Sequence, residues 1–407
     1  MSRVAMSQHR DDLIVVLDIG SAWTRVLAAE LNEGATRYCG HGIVESSGMR
    51  KGLIADLHPA IKAVEAAVKQ TERVARINID QCVVGVGGPH ILGLNTNGGI
   101  ELGGRMREID TEDVQSAVKQ ARSIERPPDR RILHLLRRQF ILDDQPGIFD
   151  PIGMVGKKLE VELHIATCSG SALQSTVTCA NRAGLEVVDA VLESVAAAES
   201  TLSADERELG ICLLDIGCHS TDLVVFYEGA VVHTASIPVG GQHFTNDLAI
   251  GLEMPVAQAE ELKRLYGHAV VTDVPLDAAI EIASPQPQML SLRRMAEILE
   301  PRACELLQLV KKNLREGGVL EALGAGCVLT GGGAMLPGML DITENQLRVP
   351  ARTGLPVRLS HMPSELNHPS LSAAIGMILY TQRIRQSTAA QSTTLRSRWR
   401  SVFTGSF

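Results

Sequence analysis

The chain has 407 residues, more than one simple hydrophobic core accommodates, so two or more domains are expected. Its net charge of -8 and 3% aromatic content supply neither the basic surface nor the stacking platforms of a nucleic-acid binder. Eight cysteines lie scattered without a CxxC pair, which argues against a zinc site or a disulfide framework and suits reduced, mostly buried thiols.

After a polar arm over 1–12, residues 13–31 read as two strands around a turn, and 55–75 carries apolar residues at helical spacing. Residues 13–81 thus open a first lobe. Residues 82–164 change character and read as an inserted small α+β module. In it "CVVGVGG" is a short strand, "DTEDVQSAVKQARSI" a helix with acids in its first turn, and "RILHLLRRQFIL" and "KLEVELHIAT" are strands. From 165 to 205 the pattern returns to helix, strand, helix, and at Leu209 a second copy of the opening begins. That second lobe takes 206–251 and 325–365, interrupted over 252–324 by two long helical stretches that form a helical subdomain. The apolar helix of 366–385 rejoins the first lobe, and no stretch, including 371–380, is long and apolar enough to span a bilayer. A Ser/Thr/Gln spacer over 386–393 leads to a distinct tail, 394–407.

The opening motif is spoken twice, as "LDIGSAWTRVLAAELNEG" from residue 17 and "LLDIGCHSTDLVVFYEG" from residue 213. Without gaps, Leu17, Asp18, Ile19, Gly20 and Thr24 align with Leu214, Asp215, Ile216, Gly217 and Thr221. An aspartate at a strand end can hold a hydrated Mg²⁺, and a glycine turn lets backbone N–H groups approach a phosphate. One such turn alone is also the ordinary end of a hairpin; two facing each other grip a polyphosphate from both sides. A third piece, "CVLTGGGAMLPGM" from 327 to 339, places a triple glycine between a strand and a helix start, where amides and a helix dipole meet a nucleotide.

In order and together the three segments resemble the phosphate-binding and adenosine-binding segments of the actin, heat-shock chaperone and sugar-kinase superfamily. The likeness narrows with "DPIGMVGKKLEVELHIAT", "NRAGLEVVDAVLESVA", "HTASIPVGGQHFTNDLAIGL", "AEELKRLYG", "EILEPRACELLQLVKKNL" and "LTGGGAMLPGM". Over about 13–385 the chain resembles the bacterial cell-division protein family FtsA. The resemblance implies an α/β fold, two-lobed and actin-like with a duplicated ribonuclease H-like core, an inserted α+β subdomain and a C-terminal amphipathic helix. It implies ATP with Mg²⁺ between the lobes, polymerisation, and tethering of FtsZ to the inner face of the cytoplasmic membrane at midcell, with further division proteins docking on 82–164. A pilus-assembly protein of the PilM type and an actin-fold small-molecule kinase share the turns; neither accounts for the tail.

Carried over by residue, Asp18, Gly20 and Ser21 face the phosphates from the first lobe, and Asp215, Gly217, Cys218, His219, Ser220 and Thr221 from the second. Asp18 and Asp215 hold magnesium through water. Glu260 and Lys263 match the helix that closes on ribose and adenine, where a plain solvated helix face is the competing reading. Gly331, Gly332, Gly333 and Met335 flank the adenosine, and Glu193 falls where relatives place an acid near the attacking water. For the FtsZ C-terminal peptide the implied surface is the helical subdomain, with Arg294, Arg302 and Lys311 as candidates. Two departures stand out: Trp23 replaces a common lysine, and Cys218 and His219 replace a glycine run, so hydrolysis is expected to be weak at most.

In the tail, at about 100° per residue, Leu395, Trp399, Val402 and Phe403 share one apolar stripe. Arg396 and Arg398 flank it, with Arg400 also a candidate for an anionic membrane surface. Docking of this stripe on the protein itself is the alternative.

Overall fold

The computed structural model describes residues 12–32, 35–123, 127–282 and 288–391. Its frame is one topology used twice. The first lobe holds a five-stranded sheet ordered Glu186–Leu192, Gln81–Val86, Leu13–Ile19, Trp23–Asn32, Ala35–Glu45. The second holds Ala351–Thr353, Gly326–Thr330, Ile211–Ile216, Thr221–Tyr227 and Ala230–Ile237 in the equivalent places. In each, the founding strand runs antiparallel to its hairpin partner and parallel to the strand on its other side. The hairpin registers coincide as well: Asp18 stands opposite Arg25 and Ile19 opposite Thr24, while Asp215 stands opposite Asp222 and Ile216 opposite Thr221.

Continuous apolar runs such as Ile14 to Leu17 and Ile211 to Leu214 suit strands covered on both faces, and those residues are buried. The same reasoning corrects one boundary. Residues 82–86, placed in the inserted module by the sequence, run in the first-lobe sheet between Leu13–Ile19 and Glu186–Leu192. Their run "CVVGV" has the all-apolar pattern of a central parallel strand, so the insert starts beyond it.

The insert itself is a four-stranded antiparallel sheet, Gln145–Ile148, Arg130–Leu142, Lys158–Ser169 and Leu92–Glu101, carrying the helix Thr111–Arg122. Asp110 starts that helix by accepting from the N–H groups of Glu112 and Asp113, in a capping box with Asp113. Val114, Ala117 and Val118 then pack with Phe140, Leu159, Val161 and Leu163 in a core of the insert's own. At Gly98 a Cβ would sit 2.2 Å from the Ala121 nitrogen, so glycine sets how closely the helix lies on the sheet.

The insert also reaches across to the second lobe. Asn95 Nδ2 donates to the Val232 carbonyl at 3.0 Å, and the buried His164 lies between Asn95 Oδ1 at 2.7 Å and Thr234 Oγ1 at 2.8 Å. Burial drops the His164 pKa to about 3, which keeps it a neutral bridging group.

The helical stretches of the second lobe form as Val256–Tyr266 and Leu292–Glu316, the latter with Pro301 inside it, and with a short hairpin of Ala279–Ile282 and Gln288–Ser291 that the sequence did not reveal. The terminal helix, Ser372–Gln391, packs into the first-lobe core through Ala374, Ile375, Met377 and Ile378. Residues 386–391, read from composition as a spacer, continue this helix. No helix among the described residues is long and apolar enough to cross a membrane.

Candidate functional site

The two repeated turns face one cleft between the lobes. Each is closed by the same backbone bond, Gly20 N–H to the Trp23 carbonyl at 3.1 Å and Gly217 N–H to the Ser220 carbonyl at 2.9 Å. Closing the turn this way spends the glycine N–H. It leaves the N–H groups of Ser21, Ala22, Cys218 and His219 without a backbone acceptor among the described residues. These amides border a cleft of about 1140 Å³.

Of the residues expected to bind nucleotide, Asp18, Gly20, Ser21, Asp215, Gly217, Cys218, His219, Ser220, Glu260, Lys263, Gly331, Gly332, Gly333 and Met335 all line that cleft. Glu193 does too. Thr221 is the exception: it is fully buried, and its hydroxyl donates to the Val239 carbonyl at 2.8 Å. Strand alternation turns Thr221 away from the cleft and its neighbours Ser220 and Asp222 toward it.

Carboxylates crowd the cleft floor. Asp18 makes an ion pair with Arg25 at 2.8 Å, both little exposed. At the equivalent hairpin position the second lobe carries Asp222 instead, whose two carboxylate oxygens accept from the Gly88 N–H at 3.2 and 3.1 Å. Burial, with the Asp222 and Asp18 charges, lifts the Asp215 pKa to about 7, and Arg25 opposes the rise. Burial lifts Asp222 to about 6. Glu193 is raised well above the usual carboxylate range by burial and by Asp18, Asp222 and Asp215. Space for it comes from two glycines: a Cβ at Gly85 would lie 2.7 Å from Glu193 Oε1, and one at Gly87 would lie 2.3 Å from Oε2.

Beside the second turn, Gly331 adopts φ +82°, and a Cβ there would sit 2.3 Å from Asp215 Oδ1. The strand of Gly326–Thr330 ends at this glycine, and a short 3₁₀ turn, Gly332–Met335, leads from it to the helix Met339–Leu347. Lys263 is anchored rather than solvated, donating to the Gly241 carbonyl at 3.0 Å, Thr245 Oγ1 at 2.8 Å and Glu260 Oε2 at 2.6 Å. Thr245 Oγ1 also bonds Glu260. In the second turn His219 has its pKa lowered by burial, and its Nδ1 is buried without a partner among the described residues.

The three basic candidates for a partner surface do not form one patch. Arg302 is held bidentate by Asp247 at 2.6 and 2.9 Å and also by Glu305. Lys311 donates to the Gln346 carbonyl at 2.5 Å, on another side of the helix. Arg294 stays exposed, its guanidinium donating to the Gly251 carbonyl at 3.3 Å. Leu395, Arg396, Arg398, Trp399, Arg400, Val402 and Phe403 lie outside the described residues.

Sequence reasoning missed Arg25, Asp222, Gly85 and Gly87. The signal for the first two was present, since a hairpin closed at Gly20 and Trp23 must set residue 25 opposite 18, and the second copy must set 222 opposite 215. Among the described residues, no group of three or more His, Cys, Asp or Glu side chains is placed to hold a metal ion.

Comparison with known proteins matches the family model "Cell division protein FtsA" over residues 212–376 and "SHS2 domain inserted in FTSA" over 88–167. The chain is 36% identical over 372 residues to the cell division protein FtsA of Pseudomonas aeruginosa, covering 90% of this chain and 89% of that one. It is 34% identical over 382 residues to that of Bacillus subtilis, covering 92% and 84%. Among solved structures, a PilM-PilN type IV pilus biogenesis complex aligns with a TM-score of 0.65 at 17% identity, over 90% of this chain and 98% of that chain. MreB5 of Spiroplasma citri bound to ADP aligns with a TM-score of 0.55 at 15% identity, over 93% and 98%. These last two share the actin-like fold.

Proposed function

Since the chain belongs to the FtsA family of cell-division proteins, we propose that it binds ATP with Mg²⁺ between its lobes, polymerises, and tethers FtsZ filaments to the inner face of the cytoplasmic membrane at midcell. The observation that carries the nucleotide reading is the pair of identically closed turns presenting N–H groups without a backbone acceptor among the described residues to one cleft, with Gly331, Gly332 and Gly333 beside the second turn. That donor set fits a polyphosphate, because amides held by a fixed backbone bind an anion without reorganising. Asp18 and Asp215, both lining the cleft, are the residues to hold magnesium, through its waters. When bound, the ion offsets the negative charge of both the phosphates and the carboxylate floor.

In this reading Glu193, with its raised pKa, is the acid nearest to a general-base role, and turnover is slow at most. Anchored Lys263 and Glu260 close on the sugar and base. The FtsZ C-terminal peptide, as an acidic segment, docks on the helical subdomain beside Arg294, since Arg302 and Lys311 are already engaged. Further division proteins dock on the insert.

The tail supplies the membrane arm. Burying Leu395, Trp399, Val402 and Phe403 yields roughly 6 to 10 kcal/mol gross, with about 1 kcal/mol more per arginine near an acidic leaflet. Ordering the segment costs about 1 kcal/mol per residue, so one tail binds reversibly and a filament of tails binds by avidity. The test is co-sedimentation with acidic vesicles, with and without Mg-ATP. Pelleting is expected to strengthen with Mg-ATP and to be lost in a Trp399→Glu, Phe403→Glu chain. Pelleting unchanged by both interventions, together with no calorimetric response to Mg-ATP, refutes the proposal.

A further inference from the structure

The helix Glu193–Thr201 begins at the acid that enters the cleft, and the terminal helix grips it along its length. At Gly376 a Cβ would lie 1.8 Å from the Ala196 carbonyl oxygen, so the two helices touch backbone to backbone. Ser200 Oγ donates to the Ser372 carbonyl at 2.7 Å, and Arg383 pairs with Glu199 at 2.8 Å. Met377 reaches the acid's own surroundings: its sulfur lies 3.2 Å from the point where a Gly85 Cβ would sit, and Glu193 Oε1 lies 2.7 Å from that same point.

The start of the Glu193 helix is fixed from a third direction. Leu192 is its N-cap and has no side-chain cap of the usual kind. It also ends an edge strand, Glu186–Leu192, whose outer side has no neighbouring strand in the sheet among the described residues. The Leu192 N–H is instead accepted at 2.9 Å by Nε2 of His134, a buried residue of the insert strand Arg130–Leu142. An accepting Nε2 places the ring proton on Nδ1, which faces the Tyr380 hydroxyl of the terminal helix at 3.3 Å. The two rings meet edge-on at 5.5 Å. Burial lowers the His134 pKa to about 4, in keeping with this neutral form.

We infer that His134 is a positioning residue for Glu193, and that through Tyr380 it makes the setting of that acid depend on the terminal helix. The inference rests on the proposed function, in which Glu193 serves the nucleotide cleft. It connects the insert, the acid and the helix that leads toward the tail at a single imidazole. A bonded N–H at Leu192 fixes the backbone one residue before Glu193, and displacements of about 1 Å in a reacting group cost up to about 100-fold in rate.

The test compares the unsubstituted full chain with His134→Phe, His134→Gln and Tyr380→Phe by three measurements. These are Mg-ATP affinity, single-turnover phosphate release, and hydrogen exchange at the Leu192 amide. Phenylalanine keeps the volume but cannot accept; glutamine can accept from Leu192 and donate to Tyr380. For His134→Phe, release is expected to fall roughly 10- to 100-fold with affinity changed less than about 3-fold, and Leu192 exchange to quicken by about 10-fold. Glutamine is expected to restore both, and Tyr380→Phe to reproduce part of the loss. The inference is overturned if His134→Phe matches the unsubstituted chain, if glutamine fares as badly as phenylalanine, or if the unsubstituted chain binds Mg-ATP and releases no phosphate. Tyr380→Phe behaving like the unsubstituted chain in every measurement overturns the link to the terminal helix. Failure of Mg-ATP to bind at all would instead sink the proposed function, and the Leu192 exchange arm would still decide the backbone role of His134.

Discussion

Replacing Asp215 by asparagine removes one negative charge from a floor shared with Asp18, Asp222 and Glu193 while keeping the side chain's outline. In the folded chain burial first, then the Asp222 and Asp18 charges, lift the Asp215 pKa from 3.8 to about 7. Both folded and unfolded chains hold the proton below about pH 4, so the group contributes nothing there. As pH rises from about 4 to 7 the unfolded chain ionises freely and the folded one resists, so stability falls through that window and stays lower above it. A rise of about 3 units corresponds to roughly 4 kcal/mol at about 1.4 kcal/mol per unit. Asparagine recovers that sum less about 1 to 2 kcal/mol for a buried amide with incomplete partners, leaving a net gain near 2 to 3 kcal/mol. Denaturant midpoints of the nucleotide-free chain, taken at about pH 4.5 and 8, should show Asp215→Asn more stable at the higher pH and little changed at the lower. Mg-ATP should raise the midpoint of the unsubstituted chain and leave that of the variant where it is. A variant no more stable at the higher pH, or equally stabilised at both, would refute the reasoning.

Three other side chains have equally definite outcomes. Arg25→Met strands Asp18 in a site where both partners are little exposed, so a loss of about 3 kcal/mol in urea unfolding is expected. Thr221→Val removes only the bond to the Val239 carbonyl, so thermal stability should drop by about 1 to 2 kcal/mol while Mg-ATP affinity measured by calorimetry stays unchanged. Arg302→Ala releases Asp247 and loosens Gly241–Gly251 against Leu292–Glu316. Its partly exposed pair is worth about 1 kcal/mol, and FtsZ-peptide binding should weaken less for it than for Arg294→Ala in an anisotropy titration.

Much of the fold was legible because its signals are local. The buried runs at Ile14 and Ile211 read as strands, the acids before Val114 as a helix start, and the repeated "LDIG" as a duplication. The insert's first boundary was not legible, since "CVVGV" looks the same whether its strand joins one sheet or another; partner choice is a long-range matter. Of the fifteen candidates for the nucleotide, fourteen line the cleft, twelve of them read from the glycine turns and loop and Glu260 and Lys263 from the likeness of "AEELK"; Thr221 was lost to strand alternation, which places adjacent side chains on opposite faces. Arg25 and Asp222 were overlooked because neither belongs to a motif; each matters only through the residue across its hairpin. His134 could not have been found at all, since its two partners, Leu192 and Tyr380, are remote from it along the chain and from each other.

The matching hairpins carry one further consequence. Their backbones coincide in register, yet the place filled by a guanidinium in one is filled by a carboxylate in the other. A guest with like ends would fit such a frame equally well either way round. A guest with a cationic end and an anionic end would not, because turning it end for end brings its anionic end from the neutralised Asp18–Arg25 pair to the facing carboxylates Asp215 and Asp222. The frame has near-twofold symmetry, but its electrostatics have a heading, and that heading favours one orientation of a guest whose two ends differ in charge.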